Sequence, residues 1–272
     1  MKENLYHVSK ARIEKASNAK FFLHSHDSYE ILLFIQGDSR YVVEGNTYSL
    51  EPYDVMILRK NEMHRIYHNS ESAYERYILM VEPDFFTEHN CKELESEFLK
   101  KTNGSKNKID ASLCVSSGLY DAFLRLQKYS HNFKELYTPI VDAVITEILY
   151  LINNVKLFSK DDNSDSQLKS IISYINNNYT DEISLDELAE QFFISKYHLC
   201  RIFKEGTGIT VHSYITNKRL IRVKELKSEG YSLGEAAILA GFGNYSSFYR
   251  AYQKNNGFAP SDKNIENLKW QM

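Results

Sequence analysis

Two histidines and a glutamate lie close together near the start of the chain, in the segment HSHDSYE that begins at His24. On a β-strand His24, His26 and Glu30 would point to the same face, because they share one parity. A third histidine, His64, follows a later apolar run. Imidazole and carboxylate groups together suit Zn, Mn, Fe or Ni. The four residues therefore predict a site that binds a metal ion or a small molecule, or else a purely structural hydrogen-bonded cluster.

A basic segment in the last third of the chain is the second informative feature. The sequence has a net charge of −3, yet residues 196–227 hold eight lysines and arginines against two glutamates. Such local positive charge favours a polyanionic partner, although a solvated helix face would give the same composition.

The sequence around the histidines predicts β-strands that would position them. Short apolar runs at 30–35, 40–45, 54–58 and 74–81 are separated by turn-forming residues. Several short strands at this spacing favour an antiparallel sandwich or barrel.

Helices are predicted beyond Pro83, where the apolar spacing changes. One runs through 119–126, and another starts at Thr138-Pro139, a favourable N-cap followed by proline in the first turn. The apolar stripe of 139–158 is wide enough to face both a core and a partner subunit, or a core alone. The segment 159–167, SKDDNSDSQ, has no apolar residue and predicts a linker.

An internal repeat follows this linker. Residues 184–208 and 232–257 both open with Ser-Leu-x-Glu, a capping box that starts a helix. Each copy predicts a short helix, a tight turn and a second helix, and 210–230 predicts a longer helix between the copies. A helix-turn-helix has this arrangement, and its second helix enters the major groove of DNA.

Residues 165 to about 263 resemble the DNA-binding domain of the AraC/XylS family of transcription regulators. The resemblance rests on SKYHLCRIFKEGTG in the first copy and AGFGNYSSFYRAYQKNNGFAPS in the second. It implies DNA contacts from the outward residues of both second helices, and phosphate contacts from basic residues between the copies. The implied residues are Lys196, Tyr197, Cys200 and Arg201; Tyr245, Ser246, Ser247 and Arg250; and, for phosphate, Lys218, Arg219 and Arg222. Cys200 departs from the long polar residue that is common at its position, and Gln253 stands where phenylalanine is usual.

The N-terminal segment resembles the two motifs of the cupin fold, a small double-stranded β-barrel. The matching residues are His24, His26, Glu30 and Gly37 in the first motif and His64 in the second, in which Asp54 replaces a usual glycine and His68 a usual asparagine. In metal-containing cupins the matching positions form a ligand set of three histidines and one glutamate. AraC-type regulators often carry such a barrel as a sensor. With a DNA-binding domain on the same chain, we expect a metal-free effector pocket first, then a metal-binding sensor, then structural histidines hydrogen-bonded to Glu30, and last a catalytic metal centre.

The expected effector is a sugar or a related polar metabolite, because aromatic rings stack on sugar faces and arginine and histidine bond hydroxyl groups. Further contacts are expected from Tyr29, Arg40, Tyr41, Tyr67 and Arg76, unless these are surface strand residues.

The sequence thus predicts an α+β two-domain protein with a cupin-like barrel plus helices and an all-α tandem helix-turn-helix domain. The expected limits are 1–158 for the sensing and dimerisation domain, 159–167 for the linker and 168–272 for the DNA-binding domain. We expect a homodimeric, non-enzymatic regulator that binds double-stranded DNA, an effector and, if it is an activator, RNA polymerase. The alternatives are a metal-dependent cupin enzyme or metal sensor fused to a DNA-binding domain, and a barrel that only dimerises.

The composition predicts a cytoplasmic location. The sequence has no run of 18 apolar residues, its N-terminus MKENLYHVSK is polar from the start, and its three cysteines are scattered. These features predict no signal peptide, no membrane span and no disulfide framework.

Overall fold

A computed structural model describes residues 5–99, 104–132, 138–155 and 167–261. The chain divides into two compact units, Met1–Asn163 (unit 1) and Ser164–Met272 (unit 2). The expected linker at 159–167 lies outside the described residues except for Gln167, which begins a helix. Each unit has its own apolar core.

The described part of unit 1 contains eight β-strands. They are β1 (Tyr6–Ile13), β2 (Tyr29–Gln36), β3 (Ser39–Val43), β4 (Asn46–Ser49), β5 (Val55–Leu58), β6 (His64–His68), β7 (Tyr74–Val81) and β8 (Lys108–Ile109). The four apolar runs of the sequence correspond to β2, β3, β5 and β7. The other four strands were not predicted, because they are either polar, as in HRIYH of β6, or very short.

The strands form two antiparallel sheets, one in the order β1-β7-β2-β5-β8 and one in the order β4-β3-β6. Leu32 and Phe34 from the first sheet share one apolar cluster with Tyr41 and Ile66 from the second, so this core lies between the sheets. Residues 29–34 of β2 are all buried, since helices cover the other face of the larger sheet. Burial on both faces explains why β2 is an uninterrupted apolar run. The predicted cupin-like barrel is confirmed.

Five helices complete the described part of unit 1. They are α1 (Pro83–Glu88), α2 (Lys92–Leu99), α3 (Ala111–Ser116), α4 (Leu119–Asn132) and α5 (Thr138–Asn154). The inner face of α5 buries Ile145, Ile148 and Leu149, while Ile140 and Tyr150 are 40% and 57% exposed. That exposed stripe is where a partner subunit is expected, and this role stays a prediction. Among the described helices none has a stretch long and apolar enough to cross a membrane.

Unit 2 is helical throughout its described residues. Its helices are α6 (Gln167–Asn178), α7 (Leu185–Gln191), α8 (Lys196–Thr207), α9 (Val211–Ser228), α10 (Leu233–Leu239) and α11 (Tyr245–Asn256). The pairs α7–α8 and α10–α11 are the two predicted helix-turn-helix units, and α9 is the longer helix between them. The predicted tandem arrangement is confirmed.

Helix caps fix where the recognition helices begin. Ser195 accepts a hydrogen bond from the third residue of its helix, and so does Asn244. A complete capping box forms at Ser232 and Glu235. At Ser184 the hydroxyl accepts from the Asp186 amide instead, so the first copy has a serine cap but not the predicted capping box.

Candidate functional site

The four residues of the predicted site come together inside unit 1. Each of His24, His26, Glu30 and His64 offers one donor atom, and these atoms all lie within 4.8 Å of one another. We call these four residues the barrel cluster. Glu30 belongs to β2 and His64 to β6, so the cluster joins the two sheets.

The barrel cluster does not lie on one strand. His24 and His26 precede β2, and His24 is held by a single antiparallel bridge to His64. In this bridge the His24 amide donates to the His64 carbonyl at 3.1 Å, and the His64 amide donates to the His24 carbonyl at 2.8 Å. Backbone pairing with β6, rather than strand parity alone, therefore brings the histidines to Glu30.

Backbone carbonyls orient all three imidazole rings. The Nδ1 atoms of His24, His26 and His64 lie 2.8, 2.8 and 2.7 Å from the carbonyl oxygens of Phe22, Ser28 and Glu62, respectively. Because a carbonyl can only accept, each Nδ1 carries a proton. The Nε2 of neutral His24 and His64 keeps its lone pair, whereas the Nε2 of His26 donates to the ionised Glu30 carboxylate. The Nε2 of His26 lies 2.9 Å from a Glu30 oxygen, and that of His64 lies 3.7 Å from the same oxygen. Hydrogen bonds from Nδ1 to backbone carbonyls are the kind that orients the histidine ligands of metal ions.

The electrostatics of the barrel cluster also favour ligand binding. Burial alone would raise the pKa of Glu30, but the hydrogen bond and charge of His26, with the other two imidazoles, lower it to about 2. Burial lowers the pKa of His24 and takes that of His64 well below its usual value, helped in each case by the other histidines. Burial would lower the pKa of His26 as well, but the hydrogen bond and charge of Glu30 raise it. Neutral His24 and His64 beside a carboxylate are in the protonation states that a metal ion requires, and His26 would release its Nε2 proton when a metal binds.

One ligand atom of the barrel cluster has no hydrogen-bond partner among the described residues. The Nε2 of His64 is buried and unbonded among the described residues, and a buried polar atom without a partner is uncommon. The residues present therefore fit a divalent metal such as Zn, Mn, Fe or Ni. His24, His26 and His64 would hold it through Nε2, and Glu30 through its carboxylate. A bound metal would supply a positive charge able to coordinate effector oxygens.

Further polar side chains line the barrel interior next to the cluster. Tyr41 is 3% exposed, and its ring centroid lies 6.0 Å from that of His64. Arg76 and Tyr74 alternate along β7 with residues of the helix-side core, so they face the interior with Ile78. His68 faces the interior from β6, because it shares the parity of His64.

The structure places some of the five additional contacts expected from the sequence inside the barrel and others outside it. Tyr41 and Arg76 lie inside the barrel. The hydroxyl of Tyr29 instead donates to Glu95 on the helix side of the sheet. Arg40 is exposed on the outer face, with its guanidinium 5.0 Å from the ring centroid of Tyr67. His68 and Tyr74 were not singled out from the sequence, although strand parity with His64 and Arg76 indicates them.

Asp54, which departs from the cupin motif, has a structural role here. Its carboxylate accepts hydrogen bonds from the amides of Glu51 and Ala111, each at 2.8 Å, and lies 3.1 Å from the Lys108 ammonium. It therefore joins the turn before β5 to β8 and α3.

The first recognition helix, α8, exposes the side chains predicted to contact DNA. Leu199 and Phe203 are fully buried and anchor the helix to unit 2. The opposite face is exposed at the four predicted positions Lys196, Tyr197, Cys200 and Arg201. Arg201 is held in the free protein by Glu205 at 3.3 Å and by the His198 ring at 3.1 Å. Exposed pairs of this kind are weak, so Arg201 is able to exchange them for DNA.

The second recognition helix, α11, has the same construction. Phe248 and Tyr252 are buried against α9 and α10. Tyr245, Ser246 and Arg250 are exposed, while Ser247 is half-buried and donates its amide to the Asn244 cap. The predicted DNA contacts of α8 and α11 stay predictions.

The basic residues of α9 are less accessible than those of α8. Lys218 is 7% exposed. Arg219 donates to the carbonyls of Tyr179 and Asp181 at 2.7 and 2.8 Å, and Arg222 pairs with Glu225 and Glu229. All three side chains therefore already have structural roles, and their contact with phosphate stays a prediction.

Comparison with known proteins finds two matching family models, several relatives and several solved structures. Residues 9–126 match a family model described as an AraC-like ligand binding domain, and residues 188–263 match one described as a helix-turn-helix domain. The chain is 24% identical over 251 residues to the HTH-type transcriptional activator RhaS of Salmonella paratyphi A, covering 90% of this chain and 87% of the relative. RhaS of Escherichia coli is also 24% identical, over 246 residues. Among solved structures, ToxT from Vibrio cholerae matches with TM-score 0.39 and 12% identity, over 98% of this chain and 100% of its own.

Proposed function

Because the chain belongs to the AraC family of DNA-binding transcription regulators, we propose that a small polar effector binds inside its barrel, at the barrel cluster, and controls its binding to DNA. The observation that carries the proposal is that one ligand atom from each of the four residues of the barrel cluster lies within 4.8 Å of the other three. Purely structural burial favours satisfied or apolar groups. A buried carboxylate beside a ring nitrogen without a hydrogen-bond partner among the described residues, the Nε2 of His64, is instead suited to a polar ligand.

A metal-binding sensor is the second candidate, and the orientation of the rings favours it. All three Nδ1 protons are taken by carbonyls, which leaves the three Nε2 atoms and one carboxylate as ligand atoms once His26 releases the proton that it donates to Glu30. The ion would either be the signal itself or hold the effector's oxygens. A metal-dependent enzyme would need the same ligands. Since the matched relatives are transcription regulators, we propose a regulatory role and no catalysis.

For DNA recognition we propose the exposed residues of the two recognition helices. Arg201 and Arg250 are assigned to guanine or phosphate, because a guanidinium can form two parallel hydrogen bonds with either. Tyr197 and Tyr245 are assigned to thymine methyl groups. The remaining contacts are assigned to Lys196, Cys200, Ser246 and Ser247 near the bases and to Lys218, Arg219 and Arg222 along the phosphates.

The assembly and the output are part of the proposal. We propose a homodimer formed by unit 1, activation of transcription through contact with RNA polymerase, and action in the cytoplasm, where the target DNA would lie. The exposed Ile140 and Tyr150 on α5 support a subunit contact.

The proposed function is tested by measuring DNA affinity of the full chain with and without candidate effectors. Labelled fragments from upstream of its own gene are titrated by fluorescence anisotropy in the presence of heparin, and sugars and metal salts are screened by thermal shift. We expect a compound that both raises the melting temperature and changes DNA affinity, with both responses lost in His64→Gln. His7→Ala is the matched control, because His7 is exposed on β1. An equal response in His64→Gln would exclude the barrel cluster as the effector site.

A further inference from the structure

A second polar group inside the barrel is not explained by the barrel cluster. It consists of Arg76 and Tyr74 on β7, His68 on β6, and the Phe21 ring before β2. We call these residues the Arg76 group.

Packing fixes the guanidinium of Arg76 between aromatic rings. Its carbon lies 5.7 Å from the Phe21 ring centroid and 5.4 Å from that of Tyr74. Its Nη1 donates to the Tyr74 hydroxyl at 3.0 Å. Its Nε is buried and has no hydrogen-bond partner among the residues that the structure describes. The side chain is therefore rigidly placed while one of its inner donors stays free.

His68 faces Arg76 from the opposite sheet. Its ring lies 4.7 Å, centroid to centroid, from both Phe21 and Tyr74. Its Nδ1 lies 2.8 Å from the Ser39 hydroxyl, and its Nε2 is buried and unbonded in the described part of the chain. When the Ser39 hydroxyl donates to Nδ1, the proton of the neutral ring resides on Nε2, which is then a donor.

The Tyr74 hydroxyl adds a third donor. It accepts from Arg76, so its own hydrogen is available to another acceptor. Burial raises the pKa of Tyr74 to about 12, so the hydroxyl stays protonated at neutral pH. Three donors from two sheets therefore surround one place in the barrel.

No described carboxylate forms an ion pair with Arg76. Glu30 is close enough to influence Arg76 electrostatically, but it is bonded to His26 at 2.9 Å and lies beyond ion-pair distance of the guanidinium. Glu75, the next residue on β7, pairs with Lys10 and Arg12 on the other face of the sheet. A partly buried arginine without an anionic partner is unfavourable. Any metal ion at the barrel cluster would add further positive charge to the same interior.

We propose that the Arg76 group binds the carboxylate of the effector, and that the effector is a small hydroxylated organic acid whose hydroxyl groups lie toward the barrel cluster. This inference rests on the proposed function, since it places the acid in the same barrel. One cation with neutral donors matches the single charge of a carboxylate better than the double charge of a phosphate ester. A sugar acid has both the carboxylate and the hydroxyl groups.

The test compares acids with their neutral counterparts on the full-length protein. The probes are galacturonate with galactose, gluconate with glucitol, and lactate with 1,2-propanediol. Within each pair a hydroxymethyl group replaces the carboxylate. Galactose 6-phosphate tests the phosphate class. Binding is measured by isothermal titration calorimetry, together with the melting temperature. We expect at least one acid to bind at least tenfold more tightly than its neutral counterpart.

Variants then locate the carboxylate. Arg76→Gln should weaken the acid about 10- to 100-fold, the loss of a charge-assisted hydrogen bond, while the neutral counterpart is unaffected. Arg76→Lys, which keeps the charge, should retain part of the preference. Arg40→Gln is the matched control, because Arg40 is exposed on the outer face of β3. Circular dichroism spectra that overlay with the wild type show that each variant is folded.

The outcomes separate this inference from the proposed function. If a neutral sugar or the phosphate ester binds best, or if Arg76→Gln keeps the acid preference, the carboxylate site is refuted while an effector pocket remains. Binding of no acid also refutes the inference. If in addition no sugar or metal binds and His64→Gln changes nothing, the proposed function fails with it.

Discussion

Replacing Gly241 by alanine should destabilise the second helix-turn-helix unit. Gly241 opens the turn between α10 and α11 with φ +94°. A Cβ built there would lie 2.8 Å from two backbone carbons of Thr180, in the connection between α6 and α7, and still closer to the Thr180 carbonyl oxygen. Backbone atoms cannot move aside as the end of a flexible side chain can. The substitution therefore meets both an unfavourable backbone conformation and a steric overlap.

Gly230 provides a matched control for this prediction. Its φ is +98°, but a Cβ there would meet no atom within 4 Å. A left-handed conformation costs alanine about 1–2 kcal/mol, and the stiffer unfolded chain recovers about 0.4–1 kcal/mol. Gly230→Ala should thus lose about 0.5–1 kcal/mol. Overlap with Thr180 adds about 1–3 kcal/mol, so Gly241→Ala should lose about 2–4 kcal/mol in total.

Hydrogen exchange measured by mass spectrometry resolves the expected difference between the two variants. Peptides from α10 and α11 should exchange about 30-fold faster in Gly241→Ala than in Gly230→Ala, if the free energies of opening differ by about 2 kcal/mol. Peptides from β2 and β7 in unit 1 serve as the internal reference. Equal protection of α10 and α11 in the two variants would refute the reasoning, because the contact with Thr180 would then contribute nothing.

Three further predictions concern the candidate sites. Arg201→Ala and Arg250→Ala should each weaken specific DNA binding by about 1–3 kcal/mol, measured by anisotropy with Arg12→Ala, an exposed arginine of unit 1, as control; unchanged affinity in both would defeat the assignment. His24→Ala should remove bound metal, measured by mass spectrometry on protein purified without added metal. If the wild type itself holds less than about a tenth of an equivalent, a metal-binding sensor is excluded. Glu30 has a folded pKa of about 2 against 4.5, so its stabilising effect is present above pH 4.5 and is lost as the pH falls toward 2. We compare the free energy of unfolding of the metal-stripped wild type with that of Glu30→Gln by urea titration. The difference should shrink by about 2 kcal/mol between pH 6 and pH 3. A constant difference would contradict the assigned ionisation of Glu30.

The sequence predicted the two domains and the membership of the barrel cluster, because both depend on local spacing. Helix caps, the repeat of two helix pairs and the apolar runs are properties of neighbouring residues. The position of His24 was less predictable. It reaches the cluster through a backbone bridge to His64, forty residues away, and such pairings leave no periodic signal.

The basic residues of α9 show that a charge pattern alone does not distinguish phosphate contacts from structural side chains. Helix α9 packs against both helix-turn-helix units, so Tyr214 and Leu226 are buried on it together with Lys218. Arg219 donates hydrogen bonds to two backbone carbonyls in the connection before α7. A basic residue on such a central helix can be structural, and only its neighbours show this.

The interior of the barrel supplies the strongest argument that unit 1 binds a ligand. Stability alone favours apolar side chains at inward positions of a small barrel. Along β6 and β7, however, the inward positions include His64, His68, Tyr74 and Arg76 beside the apolar Ile66, Ile78 and Met80. Each buried donor or acceptor left without a partner costs about 1–3 kcal/mol, and three such atoms are the Nε2 of His64, the Nε2 of His68 and the Nε of Arg76. Four further atoms of this kind belong to Arg59, Arg65, Asp142 and Tyr252 elsewhere in the described residues. Because the three atoms inside the barrel come from both sheets, a single polar ligand between the sheets could satisfy all of them.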